Sequence, residues 1–157
     1  MIIVSDSTTL IILSDLHKLT YLTNLFDEIL LPKAVFEEIS HKKSPLLSAS
    51  FKVVDGVKDE AFETLCQLLD LGESEAIALA KEKNLPLIID EKKGRKIAQN
   101  MGLKIIGLLG VLYLNIKKGF LSQEQAEEFL QHAKENGYRI SQKLIDEMFE
   151  NLKERAK

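Results

Sequence analysis

Short apolar runs alternate with helix-patterned stretches along most of this chain. "IIVS" (2–5) is rich in β-branched residues, ends at Asp6 and predicts a buried strand. "TLIILSDL" (9–16) predicts a helix with Ser7 or Thr8 near its start, and a short helix follows over 19–25. "EILL" (28–31) predicts a second buried strand. Pro32 stands where a helix begins, and "KAVFEEIS" (33–40) is that helix. "KKSPLLSAS" (42–50) reads as a loop and "FKVVD" (51–55) as a short strand or edge segment. A helix over 58–70, broken by Gly72, is followed by a new helix over "ESEAIALAKEKN" (73–84). "LPLIID" (85–90) predicts a buried strand ending in an aspartate. "EKKGRKIAQNMG" (91–102) predicts a helix closed by Gly102, "LKII" (103–106) a strand, and "GLLGVLYLNIKKG" (107–119) a helix.

The last part reads as all helix. "SQEQAEEFLQHAKENG" opens with the Ser122/Gln125 capping-box pattern and stops at Asn136-Gly137. "ISQKLIDEMFENLKE" aligns Ile140, Leu144, Ile145, Met148, Phe149 and Leu152 in one stripe, which reads as core or as a subunit contact. Strands apolar on both faces imply a parallel sheet covered by helices. The expected fold is therefore α/β: a three-layer α/β/α domain with a central parallel sheet of four to five strands, plus a C-terminal helical pair. Residues 1–157 form one domain, and 122–157 are a helical extension packed on it or set at a subunit interface. Ligands in such sheets bind at the carboxyl ends of the strands.

Composition narrows the classes. At 157 residues, with 45% hydrophobic and 29% charged, the chain suits one soluble globular domain. Its longest apolar run, 105–114, is far below the ~20 residues that cross a bilayer. The start lacks a basic segment and Asp6 interrupts its apolar run, so no signal peptide and no membrane association is expected. Cys66 is the only cysteine, which excludes an internal disulfide and a cysteine-based zinc site and fits a reducing cytoplasm. The net charge of −3 argues against nucleic-acid binding through a broad basic face; such contact must be local or mediated by metal ions.

Four acids stand at suggestive places. Asp6 and Asp90 each follow a buried strand, so parallel pairing puts both at one edge of the sheet. At about 100° per residue, Ala34, Val35, Phe36 and Ile39 share a face; Glu37 falls opposite, and Glu38 flanks that face and reaches inward. In "ESEAIALA", Glu73 shares the buried face with Ile77 and Ala80, and Glu75 points well away. Each acid also has a plain structural reading. Asp6 and Asp90 would cap helices, Glu73 would complement a helix dipole, and Glu38 would be a surface acid. Four acids at one sheet edge would repel one another, and hard cations such as Mg²⁺ or Mn²⁺, which prefer oxygen ligands, supply the counter-charge.

"IIVSDSTTLIIL", "LPKAVFEEI", "LGESEAIALAKEKNLPLIIDEKKGRKIA" and "LKIIGLLGVLYLNIKKGFL" together resemble a PIN domain. The resemblance runs over residues 2–121 and is strongest to the subgroup with Gly-Glu-x-Glu-Ala-Ile and Gly-x-x-Gly-Val-Leu segments. It implies a Mg²⁺- or Mn²⁺-dependent nuclease acting on RNA, in many cases the toxin of a toxin–antitoxin pair with an antitoxin protein as partner. It carries Asp6 over as the first acid, Glu38 as the second, Glu73 (with Glu75 as the alternative) as the third, and Asp90 as the fourth. Thr8 matches a small hydroxyl residue two places after the first acid. The subgroup's Gly-Arg falls on Gly94-Arg95. Two departures stand out: many members have Thr or Ser two places before the fourth acid, where this chain has Ile88, and the third acid, Glu73, is Glu rather than the commoner Asp.

The resulting expectation is an endoribonuclease in which Asp6, Glu38, Glu73 and Asp90 hold the metal. Thr8 orients a water or phosphate oxygen, and Arg95 meets the nucleic-acid backbone. Lys92, Lys93 and Lys96 read either as further backbone contacts or as a solvated helix face. His17, His41 and His132 have no mutual ligand spacing. The C-terminal stripe suits intramolecular packing, a homodimer or an antitoxin. A haloacid-dehalogenase-type phosphatase needs a second Asp two residues after the first, where this chain has Thr8. A non-catalytic PIN-like module that binds RNA or protein is the remaining alternative.

Overall fold

The computed structural model describes residues 1–41 and 49–155, so the predicted 42–50 loop lies mostly outside the described residues. Among those residues, five strands form one sheet: β1 (Ile2–Ser5), β2 (Glu28–Pro32), β3 (Phe51–Val54), β4 (Leu87–Ile88) and β5 (Ile105–Ile106). Their order is β3-β2-β1-β4-β5, and every pairing is parallel. Val4 lies opposite Leu30 on one side and Leu87 on the other, so β1 is the central strand. Successive strand residues face opposite sides of a sheet. Ile3 and Val4, Ile29 to Leu31, and Leu87 to Ile89 are all buried, which requires cover on both faces. Helices supply it, and the fold is the expected three-layer α/β/α arrangement.

The helices run α1 (Ser7–Asp15), α2 (Thr20–Thr23), α3 (Lys33–His41), α4 (Glu60–Cys66), α5 (Leu71–Lys83), α6 (Lys92–Asn100), α7 (Leu108–Lys117), α8 (Gln123–Glu135) and α9 (Gln142–Arg155). Both α8 and α9 pack against α7. Ala126, Phe129, Leu130, Ala133, Ile145 and Met148 bury the inward faces of these two helices. Phe129 meets Tyr21 edge-on, with centroids 5.5 Å apart, and the Tyr138 hydroxyl donates to Asp15 at the end of α1. Ser122 and Gln125 form the expected capping box at the start of α8.

Two expectations fail around α5. Gly72 does not break a helix. Chain 67–69 turns after α4, Asp70 caps α5 by accepting the Glu73 amide at 2.8 Å, and Gly72 lies in the first turn. Its lack of a side chain makes room for Glu38: a Cβ there would stand 2.1 Å from Glu38 Oε1. Nor does Glu75 point away to solvent. Every residue from Gly72 to Ala80 is buried, because α5 is enclosed by α3, α4 and strands β1, β2 and β4. A helix buried on all sides has no solvent face for a wheel to find. Glu75 resolves its burial by accepting the Ala34 amide at 3.2 Å, in the first turn of α3. Pro32, just before that helix, has no side-chain acceptor, so α5 caps α3 from outside. A carboxylate at that end also complements the helix dipole. Glu75→Ala strands a buried N–H and is expected to cost about 1–3 kcal/mol in urea denaturation. Glu75→Gln, which keeps an acceptor oxygen, is expected to cost less.

Candidate active site

In the order β3-β2-β1-β4-β5 the chain winds away from β1 in one direction and then in the other. The direction reverses between β1 and β4, and in open sheets of this kind such a switch point is where a ligand crevice forms beyond the carboxyl ends. Asp6 and Asp90 flank it. The Asp6 amide donates to the Ile88 carbonyl at 2.9 Å, pinning the residue against the end of β4. Asp6 occupies the N-cap position of α1, yet its side chain makes no capping hydrogen bond. It is buried, and its Oδ1 has no hydrogen-bond partner. The helix-cap reading therefore does not account for its carboxyl group.

Asp90 is not the cap of α6 either. That role belongs to Glu91, whose Oε2 accepts the Gly94 amide at 3.1 Å. Asp90 Oδ1 instead accepts the Leu108 amide at 2.9 Å, in the first turn of α7, and Oδ2 accepts the Thr9 hydroxyl. Thr9 thus brings to Asp90 a hydroxyl of the kind absent at Ile88. On the other side of Asp6, the Ser7 hydroxyl donates to Glu38 Oε2 at 2.7 Å. Glu38 is half-buried and Glu37 exposed, as the helical wheel predicts. Glu73 is buried, and its Oε2 has no partner in standard hydrogen-bond geometry.

Sequence reasoning misses three of these participants. Ser7 and Thr9 are buried, while Thr8, the hydroxyl singled out by resemblance, is exposed. Asp70, predicted as the end of the preceding helix, stands close enough to Asp6 and Glu73 to act on both electrostatically. The Asp70-x-x-Glu73 spacing is a helix-start signal that could have placed it. Arg95 is half-buried, and its Nη1 donates to the Ile89 carbonyl at 2.9 Å, immediately before Asp90. His17 and His132 are exposed.

A family model described as "PIN domain" matches residues 2–154, nearly the whole chain and well beyond the 2–121 resemblance. The chain belongs to the PIN-domain family. Members are generally nucleases and typically use divalent metal ions. A PilT N-terminus domain protein from the hyperthermophilic archaeon Sulfolobus solfataricus is similar at 18% identity and a TM-score of 0.46, over 90% of this chain and 100% of that one. Comparison with curated proteins gives no match.

The PIN-domain crevice has an acid problem. Burial pushes the Asp6 carboxyl up from 3.8 to about 7, opposed by the Ser7 backbone N–H and reinforced by the charges of Asp70, Glu38 and Asp90. Burial also raises Glu73, helped by the neighbouring carboxyl groups of Asp70 and Glu91 and by the charge of Asp6. Glu91 is lowered, chiefly by the adjacent Glu73 carboxyl group. Among the described residues, no ion pair joins Asp6, Glu38, Asp70, Glu73 or Asp90 to a lysine or arginine. The donor set is entirely carboxylate oxygen, with Asp6 Oδ1 and Glu73 Oε2 unpartnered, and this chemistry fits a hard divalent cation. No three His, Cys, Asp or Glu side chains among the described residues stand close enough, as placed, to hold one ion.

The folded protein holds the Asp6 proton more tightly than the unfolded chain does. This stabilisation is complete below pH 3.8 and is lost as pH rises through about 7. Asp6→Asn removes the titration. In EDTA the variant is expected to gain roughly 2–3 kcal/mol on the parent protein between pH 5 and pH 8, at about 1.4 kcal/mol per pH unit. Urea denaturation at the two pH values measures this, and a constant difference between the proteins contradicts it.

Proposed function

We propose that this PIN domain is a metal-dependent endoribonuclease that hydrolyses phosphodiester bonds of RNA. The observation that carries the reading is the pair of buried carboxylate oxygens, Asp6 Oδ1 and Glu73 Oε2, left without hydrogen-bond partners at the carboxyl edge of the sheet. Asp6, Glu38, Glu73 and Asp90 would hold Mg²⁺ or Mn²⁺. Bound there, such an ion lowers the pKa of a water and offsets charge on the phosphate in the transition state. Ser7 and Thr9 orient Glu38 and Asp90 by donating to them, so that their remaining lone pairs are aimed rather than free to rotate. The Leu108 amide fixes Asp90 from a second direction. Asp70 adds negative charge beside Asp6 and Glu73, which favours a cation over two protons.

A toxin role with an antitoxin partner belongs to the same reading and rests on the resemblance alone. Its test is growth arrest on expression, relieved by Asp6→Asn. The competing reading is a binding module that keeps the fold without metal. The spacing of the acids favours it, since no three described side chains converge on one point.

Two measurements decide between the enzyme and the module. Mn²⁺ is expected to raise the melting temperature of the protein, reaching about 2.7 kcal/mol of stabilisation at a hundredfold excess over the dissociation constant. Asp6→Asn is expected to abolish that gain and to reduce cleavage of single-stranded RNA at least ~100-fold. A protein that neither gains stability from Mn²⁺ nor cleaves RNA is the module. A finer test is Thr9→Val, which frees one Asp90 oxygen. It is expected to weaken Mn²⁺ binding about 10–100-fold while leaving the fold intact.

A further inference from the structure

A groove of ≈ 1320 Å³ runs between α6, the β5–α7 junction and α9, and Asp90 forms part of its wall. This is more than the ~300–1,000 Å³ typical of small-molecule sites. The groove therefore meets the acid crevice and is large enough for a chain rather than a metabolite. Its charge is opposite to the crevice. Lys92, Arg95 and Lys96 from α6 and Lys143 from α9 line it, against Asp90 and Glu147. Four cations face two acids in a protein whose net charge is −3, so this is a local basic surface on an acidic molecule. Apolar surface lies between the charges: Leu109 lines one wall, and Leu144 on α9 is 52% exposed within it. Lys96 and Lys143 are exposed and make no ion pair among the described residues.

We infer that this groove is the track for single-stranded RNA leading to the scissile phosphate, with α9 as a substrate-binding wall rather than only a packing element. The inference rests on the nuclease reading for the identity of its occupant, and the geometry supplies the route. A strand in the groove has phosphates within reach of cations on two elements distant in sequence, α6 and α9, and bases against the apolar surface of Leu109 and Leu144. Both sides of the groove must contribute for a strand to be held, since backbone charge supplies most of the affinity for single strands. A purely acidic peptide would use the cations but would leave the apolar strip without a matching role.

The protein in EDTA, which withholds divalent metal, is titrated against a fluorescently labelled twelve-nucleotide oligouridine and followed by anisotropy. Lys96→Ala and Lys143→Ala together are expected to weaken binding about tenfold. The slope of log affinity against log salt should shrink by about 0.7 for each phosphate that is no longer neutralised. Leu144→Ser should weaken binding without changing that slope. Lys83→Ala, at the end of α5 outside the groove, should change nothing. Undiminished binding in the lysine variants overturns the groove, as does competition by polyglutamate equal to that by RNA. The two readings fail separately. Lysine-dependent binding without Mn²⁺-dependent cleavage keeps the groove and removes the nuclease. Cleavage that depends on Asp6 but not on Lys96, Lys143 or Leu144 does the reverse.

Discussion

The site depends on one constraint: a carboxyl group placed at the dry end of a strand that is hydrogen-bonded on both sides. β1 cannot move Asp6 toward solvent, because its backbone is tied to β2 and β4 and the Asp6 amide itself is held by Ile88. A buried carboxylate with no partner must take up a proton or a cation. The same alternatives face Glu73, which reaches the crevice from α5. The neighbouring acids deepen the problem instead of relieving it, so the crevice as a whole is poised to accept positive charge. Glu38 and Asp90 are comparatively settled, since hydroxyl and amide donors already engage their oxygens.

Much of this arrangement is built by α5. It supplies Glu73 to the crevice, Gly72 as the space into which Glu38 fits, and Glu75 as the cap of the helix that carries Glu38. Asp70, at its head, holds the first turn in place and adds its charge to the cluster. All four of these functions fall within the short segment 70–75. The helix core behind them consists of Ala76, Ile77, Ala78, Leu79 and Ala80, all buried. Small side chains on several faces let neighbouring helices and strands approach closely, so α5 can be enclosed on all sides.

The strands and the acids at their ends are legible because both follow from simple regularities. A short β-branched run bounded by an acid reads as a parallel strand with its carboxyl end marked, and Asp6 and Asp90 both obey this. Glu38 is legible because α3 has one apolar face and one wet face. Glu75 is not, since its helix has no wet face and the wheel treats distance from the apolar stripe as distance from the core. The hydroxyls in "SDSTT" are ambiguous for a different reason. Three small polar residues in succession are equivalent in composition, and only the start of α1 decides that Ser7 and Thr9 turn inward while Thr8 turns out. Asp70 reads as the end of one helix rather than the head of the next because the turn at 67–69 contains neither glycine nor proline to announce it.

The first turn of α1 spans the crevice like a caliper. Ser7 grips a residue 31 positions away, and Thr9 grips one 81 positions away, with Asp6 just before them. These jaws are set by helical pitch alone, so the gap between Glu38 and Asp90 is written into the backbone of three adjacent residues. Inserting or deleting one residue there would rotate both hydroxyls by about 100° and release both acids at once, even with every apolar side chain still in place. The segment is therefore intolerant of length changes in a way that its ordinary composition conceals. Transplanting the site into another scaffold would require moving residues 6–9 as a single rigid piece.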